Sequence, residues 1–171
     1  MGFKQGHAAV DALAHNPPLT RAVLSTPAEM REQLLQVTRT AEHSLCIYTA
    51  ELSPDLYGQA AFLKALKHLV LARRYARVRI LSSAPATLDE HTQPICTMAM
   101  RLPSLIEIRS VPAADMGAAE FVVADGRALV YRIHRNRWDG MVEHNDPAVA
   151  KFYLTHFDSA WSDATPTRLS N

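Results

Sequence analysis

Apolar residues recur at helical spacing in the segment that follows residue 25. They lie three or four positions apart, at Met30, Leu34, Val37 and Ala41. This spacing places them on one face of an α-helix, which would bury that face against the rest of the domain. The start of this helix is marked by residues that suit a capping box, namely Thr26, Pro27 and Glu29.

Three segments predict β-strands. A continuous apolar run begins at Ser44, a segment in which Val78 and Ile80 alternate with arginines begins at Ala76, and a third segment begins at Leu105. Helical patterns separate the runs, over residues 60–74 and 88–101, and the second pattern is interrupted near Pro94. Runs that are apolar on both faces are typical of parallel strands covered by helices. The alternation of helix and strand therefore predicts a parallel sheet with crossover helices.

The pattern then changes to a β-hairpin and a last helix. Two apolar strands flank Asp125-Gly126, a dipeptide that favours a two-residue type I′ turn. With that turn, Glu120 is expected opposite Tyr131. The last helix is predicted to begin near Asn145. It carries an aromatic face expected to dock on the sheet, namely Phe152, Tyr153, Phe157 and Trp161.

Together these elements predict a single α/β domain over residues 25–164. Its sheet is expected to be mixed and largely parallel, to end in an antiparallel hairpin and to be flanked by helices. Residues 1–24 are weakly patterned and broken by two prolines, which predicts an N-terminal arm or short helix lying across the domain. The polar residues 165–171 are predicted to be a flexible tail.

Composition and charge narrow the class of protein. The chain has 171 residues, 20% of them charged, and a formal charge of +1. These values fit one globular domain and argue against a general basic excess for coating nucleic acid. Cys46 and Cys96 lie in separate apolar segments, so we expect buried, reduced thiols and a cytoplasmic protein. The sequence carries no recognisable membrane span, metal motif or cofactor motif, so we expect none of the three.

The predicted arrangement resembles one half of the phospholipase D superfamily over residues 28–162. That family carries H-x-K-x-x-x-x-D on the first hairpin strand, with an Asn usually at the start of the next helix. Aligning the Asp with Asp125 places Ala118 at the His position and Glu120 at the Lys position, and Asn145 is a counterpart of the family Asn. The resemblance implies the phospholipase D-like fold. Because the family uses the His as nucleophile and the Lys to stabilise phosphoryl oxygens, the two replacements argue against phosphodiesterase activity.

Glu120 has two interpretations at this stage. It is either a carboxylate hydrogen-bonded to a tyrosine or an arginine on a partly exposed strand, or a pocket group that faces the family's cleft. Glu51 and Ser82 follow or end predicted strands, at the edge where open α/β sheets bind ligands. They are therefore candidate ligand-binding residues, although small polar residues are also ordinary at the start of loops.

The loop after the second hairpin strand holds the one local basic cluster of note. It consists of Arg132, His134, Arg135 and Arg137, with Trp138 beside them. Arginines next to an aromatic ring are suited to clamping phosphate or stacking on bases. The same pattern also fits a solvated loop whose charge is reduced by neighbouring acids such as Asp139.

Three functions follow from these observations. The first is a catalytically degenerate binding or regulatory module for a protein partner or a phosphate-bearing ligand. Because single halves of this family generally pair, the resemblance implies a homodimer, with a partner protein such as an acyltransferase as the alternative. The second is a phosphodiesterase-type enzyme with a rebuilt site, using His134 or His144 with Asp125. The third is a nucleic-acid-binding domain that uses the Arg132–Trp138 loop.

Overall fold

The computed structural model describes residues 20–83 and 93–167. In chain order its elements are β1 (Arg21–Leu24), α1 (Pro27–Thr40), β2 (Ser44–Thr49), α2 (Pro54–Tyr57), α3 (Ala60–Ala72), β3 (Arg77–Ser82), α4 (Gln93–Arg101), β4 (Ile106–Ser110), a 3-10 turn (Ala113–Asp115), β5 (Glu120–Ala124), β6 (Ala128–Arg132), β7 (Gly140–Glu143), α5 (Pro147–Asp163) and β8 (Thr165–Pro166). The helix predicted over residues 88–101 lies partly outside the described residues, as does most of the predicted arm.

The described strands form one eight-stranded mixed sheet in the order β1-β7-β6-β5-β2-β3-β4-β8. The central strands β2, β3 and β4 are parallel, as predicted. The remaining neighbours are antiparallel. The antiparallel part is larger than expected because three short strands, β1, β7 and β8, extend both sides of the sheet. Arg21–Leu24 of the predicted arm and Thr165–Pro166 of the predicted tail are therefore strands.

Capping residues fix where the two best-defined helices begin. The Thr26 hydroxyl accepts the amide of Glu29 at 3.2 Å, as a capping residue of α1 should. The Glu29 carboxylate accepts the amide of Ser25, one residue earlier than the predicted capping box requires. At α5 the capping residue is Asp146, whose carboxylate accepts the amide of Val149 at 3.2 Å. Each cap satisfies backbone donors that a helix start otherwise leaves without partners.

Helices cover both faces of the sheet and bury two hydrophobic clusters. Helices α1 to α4 cover one face, where the cluster includes Leu34, Phe62 and Ile80. Helix α5 covers the other face, and its Phe157 and Trp161 are buried there. Phe152 was predicted to dock with them but is 71% exposed, because it lies on the outer side of the helix.

The hairpin connects β5 and β6 with one residue more than predicted. Asp125 and Gly126 have positive φ angles of 55° and 64°, as a type I′ turn requires. The strand pairing, however, joins Ala124 to Ala128. Arg127 is therefore an extra residue at the tip, and its carbonyl accepts the amide of Asp146 instead. The expected pairing of Glu120 with Tyr131 is wrong, since this residue shifts β6 by one position.

Two opposite edges of the sheet matter for function. At the carboxyl edge the parallel strands β2, β3 and β4 end, and Glu120 begins β5 while Arg132 ends β6. At the amino edge the same three strands begin, and the hairpin tip at residues 125–127 lies beside the start of β2. The family motif thus spans the whole sheet, from one edge to the other.

Candidate functional site

Glu120, which occupies the lysine position of the family motif, is a buried carboxylate with three partners. Its relative exposure is 7%. Its Oε1 atom accepts the Ala50 amide at 3.2 Å and lies 3.0 Å from the Thr49 hydroxyl oxygen. Its Oε2 atom lies 3.4 Å from Arg132 Nη1. Of the two interpretations, the geometry matches a carboxylate held by an arginine, but on a buried strand rather than a partly exposed one.

Arg132 stands opposite Glu120 in the strand pairing and is equally buried. Its Nε donates to the Arg137 carbonyl at 2.5 Å, and its Nη2 donates to the Arg135 carbonyl at 2.6 Å. Its guanidinium carbon lies 3.9 Å from the centre of the Trp138 ring, a cation–π contact. All three nitrogens of this guanidinium therefore donate to groups of the protein itself.

The loop between β6 and β7 folds around the Arg132 guanidinium. Within the loop, the Ile133 amide donates to the Asp139 carbonyl at 3.0 Å. The Arg135 amide donates to the carbonyl of Ala118 at 3.1 Å, which ties the loop to the residue at the family's histidine position. The loop returns directly into β7 at Gly140, where a Cβ would lie 2.0 Å from the Tyr131 carbonyl oxygen. Only glycine fits this close approach.

Little space remains beneath the ion pair. A cavity of about 20 Å³ lies between α1, α2 and the sheet, roughly the room for a single water. It is lined by Met30, Leu34, Leu56, Tyr57, Glu120, Phe121, Val122, Val130 and Arg132. Burial, and then the negative charge of Glu120, raise the pKa of the Tyr57 phenol far above its usual value. Tyr57 and Glu120 thus share one buried environment.

Asp125, the remaining residue of the motif, lies at the opposite edge of the sheet from Glu120. The five-residue separation along β5 corresponds to roughly 16 Å at about 3.3 Å per residue. Its carboxylate accepts the backbone amides of Glu42, His43 and Ser44 at 2.9, 2.7 and 3.0 Å. Asp125 was considered as the partner of a histidine in a rebuilt site, but here both of its oxygens accept amides of the turn before β2.

The structure does not assemble the other predicted site residues around one point. Ser82 is buried and donates its hydroxyl to the Ala50 carbonyl at 3.0 Å, whereas the Glu51 side chain is exposed. Asn145 is exposed near the amino edge, where its amide donates to Glu143. The His134 Nδ1 accepts the Asn136 amide at 3.0 Å.

The histidines proposed for a rebuilt site lie far apart. His134 follows β6 at the carboxyl edge, whereas His144 follows β7, which runs the other way, and so lies at the amino edge. His134 and His144 therefore do not line one cleft. Within that loop, Arg135 is exposed and the Arg137 guanidinium pairs with Asp139.

Tyr57 is the site residue that the sequence analysis missed. It ends α2, a helix of four residues for which the sequence analysis predicted no element. Ser53 followed by Pro54 is a helix-start signal, because proline suits the first helical turn. This signal could have revealed α2, although nothing in the sequence connects Tyr57 to Glu120.

The described residues also limit other kinds of chemistry. Cys46 and Cys96 are buried free thiols, as predicted. Across residues 20–83 and 93–167, no cluster of three or more His, Cys, Asp or Glu side chains is placed to hold a metal ion. None of the helices in those two segments is long and apolar enough to cross a membrane.

Solved structures with the same architecture define the class of fold. Nuc from Salmonella typhimurium, a phospholipase D family member, is 18% identical with a TM-score of 0.62, covering 86% of this chain and 99% of its own. Phosphatidylserine synthase of Haemophilus influenzae Rd KW20 is 14% identical with a TM-score of 0.66, and the match covers 96% of this chain and 43% of the synthase. TrmBL2, an archaeal chromatin protein described with a novel mode of DNA binding, is 12% identical with a TM-score of 0.64. The match covers 92% of this chain and 58% of TrmBL2. The chain has the phospholipase D-like fold, as the sequence analysis expected.

Within this fold class, the chain belongs to the family described as Domain of unknown function (DUF7931), whose model matches residues 26–169. No curated protein matches the chain. The chain spans nearly the whole length of Nuc but only 58% of TrmBL2 and 43% of the phosphatidylserine synthase. At identities this low, the likeness establishes the fold and leaves function to the site.

Proposed function

We propose that this protein is a binding module on a phospholipase D-like fold and does not hydrolyse phosphodiesters. One observation supports this above all others: the Glu120–Arg132 ion pair fills the position where the family holds its phosphate-stabilising lysine. A binding role accounts for a fold that is kept complete while its motif is altered. We also propose that the protein is cytoplasmic, because its two cysteines, Cys46 and Cys96, are buried and form no disulfide.

The two contributions that the family's site makes to catalysis are both missing here. Ala118 supplies no nucleophile at the histidine position. At the lysine position stands Glu120, and the cation beside it, Arg132, is paired with Glu120 and hydrogen-bonded to two loop carbonyls. A phosphodiester entering the cleft would meet no free cation in the pair, so its developing charge would gain little stabilisation.

A hydrolysis assay tests this proposal. The purified chain is incubated with bis(p-nitrophenyl) phosphate, and release of p-nitrophenol is followed. We expect no release above that of a protein-free blank. Saturable release by the wild type that disappears in His134→Ala or in His144→Ala would overturn the proposal and favour a rebuilt enzyme.

A homodimer through the outer face of α5 is a second candidate, favoured by the exposure of Phe152. This ring is 71% exposed beside Lys151 and His156 along a shallow groove. A large aromatic side chain exposed on a helix favours contact with another protein surface. Light scattering after size exclusion should give a dimer that Phe152→Ser converts to a monomer. A wild-type monomer at every concentration would overturn this candidate and favour a different partner, such as an acyltransferase.

A further inference from the structure

We propose that the amino edge of the sheet binds nucleic acid through its phosphate backbone. The surface, called the basic edge here, is formed by Arg39, Arg73, Arg74, Arg77, Arg101 and Arg127. It lies at the opposite edge from the Glu120–Arg132 pair and from the Arg132–Trp138 loop. The proposal rests on the binding role proposed above and gives that role a surface and a class of ligand.

Strand pairing and hydrogen bonds bring the middle of the basic edge together. Arg77 begins β3 opposite Ser44 of β2, and its amide donates to the His43 carbonyl at 3.1 Å. Arg73 Nη2 lies 3.3 Å from the Glu42 carboxylate. Asp125, two residues before Arg127, accepts the amides of this same turn. The end of α3, the start of β3 and the hairpin tip therefore converge on one short turn.

Arg39 and Arg101 flank this centre. Arg39 is in the last turn of α1, which ends just before that turn of the chain. Arg101 ends α4, and the chain that follows it joins the edge where the Leu105 carbonyl accepts the Val78 amide at 2.8 Å. The side chains of all six arginines are exposed. They are therefore accessible to a ligand along one continuous edge.

The charge at this edge is one-sided, although the chain as a whole is nearly neutral. Residues 60–79 contain two lysines and four arginines and no acidic residue. The nearby acids are each engaged: Glu42 pairs with Arg73, Asp158 with Arg79 and Glu107 with Arg109. The Asp125 oxygens accept three backbone amides. Glu143 and Asp146, toward β1, pair with Arg21. Positive charge is thus concentrated on a surface that the net charge of +1 does not reveal.

The kind of cation and the aromatic group beside it favour nucleic acid over other polyanions. All six cations are arginines, whose planar guanidinium bonds phosphate through two parallel hydrogen bonds. Tyr75 is 75% exposed between them, and the Arg74 guanidinium carbon lies 5.4 Å from its ring centre. An exposed ring among arginines is suited to stacking on an unpaired base.

Fluorescence anisotropy with labelled oligonucleotides, at several salt concentrations, tests the proposal. The probes are single-stranded and duplex DNA of about 16 nucleotides per strand, near the largest site that one small domain covers. The variant carries Arg74→Gln and Arg127→Gln, which leaves the Arg73–Glu42 pair intact. A control of equal charge carries Arg135→Gln and Arg137→Gln in the carboxyl-edge loop.

We expect wild-type affinity to fall as salt rises. The basic-edge variant should bind at least about tenfold more weakly. For duplex DNA, the slope of log K, where K is the association constant, against the logarithm of the salt concentration should be less negative by about 1.8, because two phosphate contacts are lost. The control should bind within about twofold of the wild type. Arg77→Gln provides a second basic-edge variant, and circular dichroism confirms that each variant is folded.

Three results would overturn the proposal. They are the absence of salt-dependent binding to either probe, an equal loss of affinity in the control, and binding to phosphatidylserine vesicles in place of DNA. Because the hydrolysis assay uses a small substrate at the other edge, its result does not depend on any of these. Failure of DNA binding is therefore distinguishable from failure of the proposed binding module.

Discussion

Replacing Glu120 by Gln removes one negative charge from the buried pair and leaves its shape nearly unchanged. The amide oxygen of Gln can still accept from the Thr49 hydroxyl and the Ala50 amide, so the packing beneath α2 is kept. Arg132 remains in place, 7% exposed and without a counter-charge. The variant therefore isolates the electrostatic contribution of the ion pair to the free energy of unfolding.

Removing one partner of a buried ion pair costs about 3 to 5 kcal/mol, because the other charge is left uncompensated away from water. The 3.4 Å separation between Glu120 and Arg132 is long for such a pair, and two carbonyls continue to accept from Arg132. We therefore expect a loss near the lower limit, about 3 kcal/mol. That is a large part of the roughly 5 to 15 kcal/mol that stabilises a typical domain.

Urea denaturation followed by circular dichroism measures this loss as a lower midpoint at unchanged slope. The matched control is Glu51→Gln, since this exposed side chain should change stability by less than about 0.5 kcal/mol. A cycle with Arg132→Met should give a double variant that is more stable than the sum of the single losses predicts. If Glu120→Gln unfolds like the wild type, or if the cycle is additive, the ion pair does not stabilise the site.

Two further predictions concern the amino edge. Asp125→Asn should lower the free energy of unfolding by about 2 kcal/mol, because hydrogen bonds to a charged acceptor each contribute about 1.5 to 3 kcal/mol and Asn retains one acceptor oxygen. The substitution adds no backbone strain, since Asn tolerates a positive φ. A variant as stable in urea as the wild type would contradict this role of the carboxylate. Burial raises the pKa of Glu143, but hydrogen bonds from Thr20 and Arg21 outweigh it and hold the pKa below its usual value. Its stabilisation is therefore present above the ordinary glutamate pKa and is lost as pH falls through the lowered value. Arg21→Gln should reduce this acid dependence of the urea midpoint, and an unchanged dependence would show that another group causes it.

The elements that pack in the interior could be predicted from the sequence. The apolar stripe of α1 and the runs of β2, β3 and β4 carry their own periodicity, and each is found at its expected place. The short edge strands β1 and β8 could not be predicted, because two to four residues carry no readable period. They are strands only because a neighbour supplies hydrogen bonds to them.

The candidate site was harder to predict, for two physical reasons. The Asp125-Gly126 dipeptide predicts the positive φ angles but does not say whether Arg127 belongs to the strand or to the tip. The cage around Arg132 depends on carbonyls of a loop with no regular structure, and those positions are fixed by the folded chain. The sequence therefore identified both members of the ion pair without predicting that they meet.

The extra residue at the hairpin tip sets the register of β6 against β5. Side chains along a strand alternate between the two faces, so shifting a strand by one residue exchanges its inner and outer sets. If Arg127 were instead the first residue of β6, as a two-residue loop would require, Tyr131 would lie opposite Glu120 and the Arg132 side chain would turn toward α5. A change of register at the hairpin tip would thus leave Glu120, at the carboxyl edge, without its arginine partner. The number of residues in the hairpin loop therefore determines which β6 side chain meets Glu120 in the cleft.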